Sequence, residues 1–399
     1  MCTVTFFRLV LAGSLLVAMP TCGGGTIAKT VKNDPRNNAK QRVEDARAEA
    51  TAGKIDDADR SYGEAYAMAG ESPKLAWGIL EEWVDFLEHA GRPGRACNIA
   101  KQYYDTNPAE IKGYHLYAEA LISGSRGQEA LNITNQLTEL DNDNPSTHDQ
   151  RGRALIVLER MDEAIEELRK AVQLDASNAK YHMSLGSALH KMNDANKAAL
   201  EFRAALKNAP DDPEAHVLLG AALRDQEEFE ESKTYLDKAL ALDPKNGRAY
   251  FELGRLYNRL GKQADAEIAF GKAVKYSPNE SLFWYAYGEI YRVQAHNDEA
   301  ISAYRRALEI DPPYPKASGK LGAALVDKKQ YDEAEPYLIQ AIRKDPKTAQ
   351  NYWYLGKAYA AKHKYRQAID NYELFLKYAA KDDADRDKAK EIINNLKRK

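Results

Sequence analysis

His148, His182 and His216 stand one fixed interval of 34 residues apart, and a ladder of imidazoles is a natural place to look for a metal. Zinc needs its ligand nitrogens at about 2.0–2.1 Å. Equivalent positions in successive helical units are separated by an intervening helix, which places them well over about 10 Å apart. The three histidines are therefore expected to fill space, not to share an ion. Asn132-Ile133-Thr134 and Asn279-Glu280-Ser281 match the acceptor pattern for N-glycosylation. Thr134 should face the interior of its helix, which removes the first, and the leader at the start of the chain argues against both, so neither is expected to be used. The chain has no Gly-rich phosphate loop, zinc-protease helix or nucleophile elbow. Its carboxylates fall at helical spacing and are expected on solvent faces. Three cysteines remain, Cys2, Cys22 and Cys97. Cys97 lies beside Ala96 and reads as a small buried residue.

The elements that carry these residues are set by a repeat. Gly152, Gly186, Gly220, Gly254, Gly288, Gly322 and Gly356 keep the 34-residue interval with no insertion or deletion. Large apolar residues keep the same phase at Leu168, Phe202, Leu236, Phe270, Tyr304, Leu338 and Tyr372. Ala171, Ala205, Ala239, Ala273, Ala307 and Ala341 do so too, with Phe375 breaking that series. Within each unit the apolar positions recur at three- and four-residue steps, so each half predicts an amphipathic helix. Pro145, Pro213 and Pro315 open first helices, where a missing N–H costs nothing. Asp162-Glu163, Asp298-Glu299 and Asp332-Glu333 open second helices at the positive end of the dipole. Pro336 falls near the start of its helix and is read as tolerated. Self-similarity at this period predicts an all-α solenoid in which each unit packs on its neighbours.

These residues resemble the tetratricopeptide repeat (TPR) family, with Gly152 at the eighth position of its pattern. Seven regular repeats then run 145–178, 179–212, 213–246, 247–280, 281–314, 315–348 and 349–382. Only Trp284 supplies the tryptophan of position four. Three degenerate units occupy 39–144, at about 39–72, 77–110 and 111–144, with a phase slip of four residues between the first two. Residues 383–399 predict a cap helix with an apolar stripe at Ala389, Ile392, Ile393 and Leu396. The resemblance implies a right-handed α-solenoid of about ten helix-turn-helix units, one elongated body without an active site. No cofactor or metal is expected.

The resemblance also implies a groove lined by positions two, five, nine and twelve of each first helix. Here those positions supply Lys180, Met183, His190, Arg224, Arg248, Phe251, Arg255, Asn258, Tyr285, Arg292, Lys316, Trp353 and Lys357. Arginine forks suit carboxylates, and aromatics offer rigid contact area. The expected partner is a protein segment, extended or helical, with acidic and apolar residues. The subtype that clamps chaperone C-termini needs lysine at position five. That position is Asp149, Met183, Val217, Phe251, Tyr285, Gly319 and Trp353, so this role is not expected.

Leu9 to Met19 is an eleven-residue apolar run after Arg8, too short to cross a bilayer as a helix. Met19-Pro20-Thr21-Cys22 and the glycines after it resemble a bacterial lipoprotein signal. This implies a signal peptide at 1–21, a lipid anchor on Cys22, and a polar tether through residue 38. Ordinary cleavage for secretion is the competitor, though it would put Pro20 at the cut. Gly23 after the cysteine points toward the outer membrane. A leader of bacterial type leaves neither glycosylation pattern expected to be used. Net charge is −3, with 44% hydrophobic and 29% charged residues. Nothing there draws the chain to nucleic acid. The combined expectation is a non-enzymatic, membrane-tethered scaffold of an envelope machine such as a pilus, gliding motor or export channel. Alternatives are a scaffold for polysaccharide export and an accessory subunit of a peptidoglycan enzyme.

Overall fold

A computed structural model describes residues 34–70 and 72–398. The expected signal peptide, Cys22 and most of the tether lie outside the described residues. Among those described, every regular element is a helix. The chain divides at Gly91 into two compact units.

The first unit holds α1 (Pro35–Thr51), α2 (Ile55–Met68) and α3 (Pro73–His89). Helix α1 starts inside the stretch read as tether. Asp34 accepts from Arg36 N at 3.0 Å and Pro35 takes the first helical position. This N-cap followed by proline is a start signal that overrides the absence of periodicity before it. The division at Gly91 falls within the unit read at 77–110. That repeat carries Val84 at the glycine position, where a branched side chain replaces the Gly or Ala that close helix pairs use. Gly78, mid-way along α3, faces open space with nothing within 4 Å of an added Cβ. Gly78→Ala should therefore raise stability by up to about 1 kcal/mol through helix propensity alone. A thermal melt that shows a loss instead would mean that this face of α3 is covered.

The second unit opens with α4 (Pro93–Thr106), α5 (Ile111–Ser123) and α6 (Gly127–Leu140). The regular repeats follow as α7 (Pro145–Val157), α8 (Met161–Leu174), α9 (Ala179–Lys191), α10 (Ala195–Asn208), α11 (Pro213–Asp225), α12 (Phe229–Leu242), α13 (Gly247–Arg259) and α14 (Gln263–Tyr276). They continue through α15 (Ser281–Val293), α16 (Asn297–Ile310), α17 (Pro315–Asp327), α18 (Tyr331–Lys344), α19 (Ala349–Ala361) and α20 (Tyr365–Tyr378), and α21 (Arg386–Leu396) closes the array. Consecutive helices pack antiparallel in pairs, and the first helices of neighbouring repeats also touch, as α5 with α7 and α17 with α19.

Several first helices are capped by the last residue of the preceding repeat. Asn144, Asn178, Asp212 and Asn246 each accept a backbone N–H from the first turn that follows. Pairing within a repeat depends on the glycine series. A Cβ at Gly186 would lie 2.6 Å from Cε1 of Phe202, and one at Gly288 would lie 2.6 Å from Cε1 of Tyr304. Each large residue thus occupies the space its glycine vacates. Ser232, where other repeats carry alanine, is buried and donates to Gly220 O at 2.7 Å. Pro336 is the sixth residue of α18, beyond the first bonded amide at Ala334. It therefore removes one interior hydrogen bond and is not confined to the partnerless first turn.

Every first helix turns into its second through a residue in the left-handed region. Ser125, Glu159, Asn193, Glu227, Ala295, Lys329 and His363 all have φ between 56° and 65°, and Gly91 and Gly261 complete the series. The next amide closes back on the helix, as Arg160 N to Leu155 O at 3.0 Å and Lys262 N to Tyr257 O at 2.9 Å. Gly53 sits 38 residues before Gly91 in the same role, which is the expected four-residue slip.

At the C-terminus, α21 buries Ala389, Ile393 and Leu396 against Trp353, Tyr372 and Phe375. Phe375 breaks the alanine series because a short cap covers less than a full repeat, and a larger residue fills the gap. Arg386 donates to Leu376 O and Ala379 O at 2.8 and 2.9 Å, satisfying carbonyls at the end of α20.

Candidate functional site

The histidine ladder resolves into turn staples. His148 Nδ1 lies 2.7 Å from Glu167 and its Nε2 2.9 Å from Asn142 O. His182 repeats this with Glu201 and Ala176 O. His216 reaches Pro210 O at 2.8 Å and stacks on Tyr235. Trp284 and Tyr352 make the same reach to Pro278 O and Pro346 O. Position four thus takes a side chain that is flat and carries a donor, which explains why His, Tyr and Trp interchange there. Thr134 is fully buried and donates to Leu131 O, and the Cys97 thiol is buried and donates to Ala120 O at 3.0 Å. The expectation that carboxylates all face solvent fails at Asp149, Glu167 and Glu252, which are buried.

The inner face of the second unit carries three cavities. One of about 420 Å³ is lined by Arg153, Lys180, Met183 and Ser187. Another, of about 440 Å³, is lined by Phe251, Arg255, Asn258, Tyr285 and Arg292. The largest, of about 640 Å³, shares Tyr285 and Arg292 and adds Lys316. Eight of the thirteen expected groove residues therefore face cavities, and positions two, five and nine supply most of the walls.

The remaining five are placed differently. Arg224 is 1% exposed and spends its fork inside the chain. It pairs with Glu252 and holds Asp225 at 2.9–3.0 Å through Nη2 and Nε. Arg255 reaches the same Glu252 at 3.4 Å. His190 contacts Asp225 at 2.8 Å. Burial pushes the Asp225 carboxyl up, but the His190 hydrogen bond and the Arg224 guanidinium outweigh it and hold it well below the usual range. Arg224 is thus a structural member of α11 and cannot greet a partner. Trp353 is buried against Tyr372, Phe375 and the ammonium of Lys388. Phe251 lines its cavity by an edge only, being buried and stacked on Phe283 at 4.4 Å. Position five points into the crevice between repeats, so a large aromatic there sinks into the core. Arg248 pairs with Glu214, and Lys357 pairs with Asp327 at 3.0 Å while lying over the Tyr354 ring.

Charge on this face is thus largely matched between neighbouring repeats. Residues that the expected set lacks complete the pairs. Glu119 of α5 takes Arg153 at 2.7 Å and Lys180 at 3.5 Å. Burial raises the Glu119 carboxyl, and the two cations more than reverse it. Asp149, 1% exposed with Oδ1 unbonded, is pushed up by burial, offset only in part by Arg153. Glu289 receives Arg292, Lys320 and the Tyr304 hydroxyl, and its carboxyl is held low despite burial. Glu119, Arg153 and Glu289 hold position nine, so the period located them. Asn351 and Tyr354, at positions three and six, fall outside the positions the period singles out.

The family description "tetratricopeptide repeat" matches residues 184–232, 217–275 and 264–315 in one version and 294–359 in another, and "TPR repeat" matches 152–193. No curated protein matches the sequence. Among solved structures, the crystal structure of the APC/C hetero-tetramer Cut9–Hcn1 superposes with TM-score 0.55 at 14% identity, covering 80% of this chain and 76% of that one. The human IFIT1 dimer with m7Gppp-AAAA gives 0.53 at 18%, covering 81% and 82%. At such identities the likeness concerns the fold alone. The family matches run without a break from residue 152 to 359, just over half of the sequence, and on that ground the chain belongs to the tetratricopeptide repeat family.

Proposed function

We propose that this protein is a non-catalytic adaptor that binds segments of partner proteins along the inner face of its second unit. We further propose that it is tethered to a bacterial outer membrane through Cys22 and helps assemble a multiprotein envelope machine. The observation that carries the binding reading is the run of cavities lined by Lys180, Met183, Arg255, Tyr285, Arg292 and Lys316. Half-buried aromatics beside guanidinium groups suit extended chains with apolar and acidic residues. Most groove cations already have an in-chain carboxylate, so a partner gains specificity from them more than raw affinity. The anchor reading rests on the sequence around Cys22.

One experiment addresses both. Arg255→Gln with Arg292→Gln removes two half-exposed charges while keeping a polar side chain with the same aliphatic stem to Cγ. Crosslinked capture of envelope partners should fall at least about tenfold, a difference of roughly 1.4 kcal/mol, with the thermal midpoint preserved. Undiminished capture would reject the groove. Separately, Cys22→Ala should move the protein out of the membrane fraction, and labelled palmitate appearing equally in that variant would reject the anchor.

A further inference from the structure

Position five of the regular repeats reads Asp149, Met183, Val217, Phe251, Tyr285, Gly319 and Trp353, and position nine reads Arg153, Ser187, Ala221, Arg255, Glu289, Ala323 and Lys357. In the repeat 315–348 both are reduced to Gly or Ala. The consequence is the largest cavity of the inner face, about 640 Å³, floored by Gly319, Ala323 and Ala324. That volume lies within the range of about 300–1,000 Å³ typical of ligand sites. Tyr285 of α15 and Tyr354 of α19 line it from the two neighbouring repeats, both half-buried and neither with its hydroxyl hydrogen-bonded within the described chain.

Asn351 adds a second observation. It is 8% exposed and lines this cavity, yet its carboxamide makes no hydrogen bond in the described chain. Neither amide atom is sealed from solvent, so its hydrogen-bonding capacity stays open to the cavity. Its Oδ1 lies 2.5 Å from where a Cβ on Gly319 would stand, so glycine is what admits it. A carboxamide offers one acceptor and two donors, the complement of a peptide backbone. Lys316 lines the same cavity, is exposed, and has no acidic partner among the described residues. Arg292 and Lys320 beside it share the single carboxylate of Glu289. Two carboxylates line the cavity as well, but Asp327 is taken by Lys357 at 3.0 Å and Asp345 accepts from the Lys347 amide and the Thr348 hydroxyl, so Lys316 remains the cation here without an ion pair among the described residues.

We infer that this cavity is a seat for one aromatic side chain of an extended partner segment, with a carboxylate two residues away held by Lys316 and the intervening backbone held by Asn351. In an extended chain, residues i and i+2 point to the same side, so ring and carboxylate enter together. The ring lies over Gly319 and Ala323 in contact with Tyr285 and Tyr354, in tilted or edge-on geometry. The inference rests on the protein-binding reading above and narrows it to an aromatic-x-acidic signature at one repeat.

The test uses the full chain and a fluorescein-labelled peptide, Gly-Ser-Phe-Gly-Glu-Gly-Ser, read by fluorescence polarisation. Peptides with Phe replaced by Ala, or Glu by Gln, should bind at least about tenfold more weakly, roughly 1.4 kcal/mol each. Ala323→Trp fills the floor and should abolish binding. Lys316→Glu, at an exposed position where folding is not at stake, should weaken it at least fivefold, and Lys316→Arg should retain it. No binding by the parent peptide at about 1 mM, equal binding of the Ala peptide, or unchanged binding by Lys316→Glu would each overturn the seat. So would a soluble oligosaccharide such as maltoheptaose occupying the cavity, shown by its loss in Ala323→Trp, while the peptide does not bind. Crosslinked partner capture that survives in Ala323→Trp overturns the seat and leaves the adaptor reading standing, whereas absence of capture by the parent chain removes the adaptor reading itself.

Discussion

Arg224→Ala should lower the unfolding free energy of the surrounding repeats by about 3 kcal/mol, the low end of what breaking a buried ion pair costs. Glu252 would stay buried with only the longer contact from Arg255 to compensate it, and Asp225 would keep His190 and the field of the more distant Arg255. The loss should appear as a lower urea midpoint by circular dichroism and as faster amide exchange in α11 and α13. Replacing both partners, Arg224→Met with Glu252→Leu, should restore most of the loss, because apolar residues of similar volume need no charge partner. An unchanged midpoint in the alanine variant would show that the pair stabilises nothing. The same argument removes Arg224 from any test of partner binding, since its effect would be on folding.

The second large effect is expected where α9 meets α10. Phe202→Ala empties the space opposite Gly186 and should cost about 3–5 kcal/mol. Phe202 is fully buried, so no solvent contact softens the loss. Gly186→Ala should also destabilise, against the gain of about 1 kcal/mol that alanine brings to a helix interior. The added carbon would meet the phenyl ring at 2.6 Å, and the ring has no room to withdraw. Combining Gly186→Ala with Phe202→Leu should cost less than the sum of the two single changes, a coupling that a double-mutant cycle in urea reads directly. Strict additivity would deny that the two residues share one space.

The reach of the sequence differs between the scaffold and its inner face. The glycine and its large partner, Gly186 with Phe202 or Gly288 with Tyr304, report a contact that repeats without insertion, so helix pairing and phase follow from spacing alone. The start of α1 is missed: Asp34-Pro35 marks it, but it carries no periodic signal and lies in a polar stretch that reads as tether. The fate of individual groove residues is a different matter. Arg224 turns inward because Glu252 stands 28 residues on at the right height, a pairing that no single repeat contains. Phe251 sinks because the next repeat closes over it with Phe283, and Trp353 because α20 of its own repeat and the cap helix cover it. Tyr285 at the same position stays half-exposed because the repeat that follows it offers Gly319. The open seat is created by what its neighbour lacks, and absence in the next repeat is hard to read from the residue itself.

The bends between paired helices have a consequence of their own. Seven of them hold an ordinary L-residue at φ near +60°, where each sacrifices on the order of 1 kcal/mol relative to glycine. Gly91 and Gly261 show that the backbone accepts the unencumbered residue in the same role. The array therefore contains a set of equivalent joints whose own side chains do not line the three inner-face cavities, although several stand within two residues of positions that do. Stiffness could be graded hairpin by hairpin at Glu159, Glu227 or Lys329 while the recognition chemistry stays as it is.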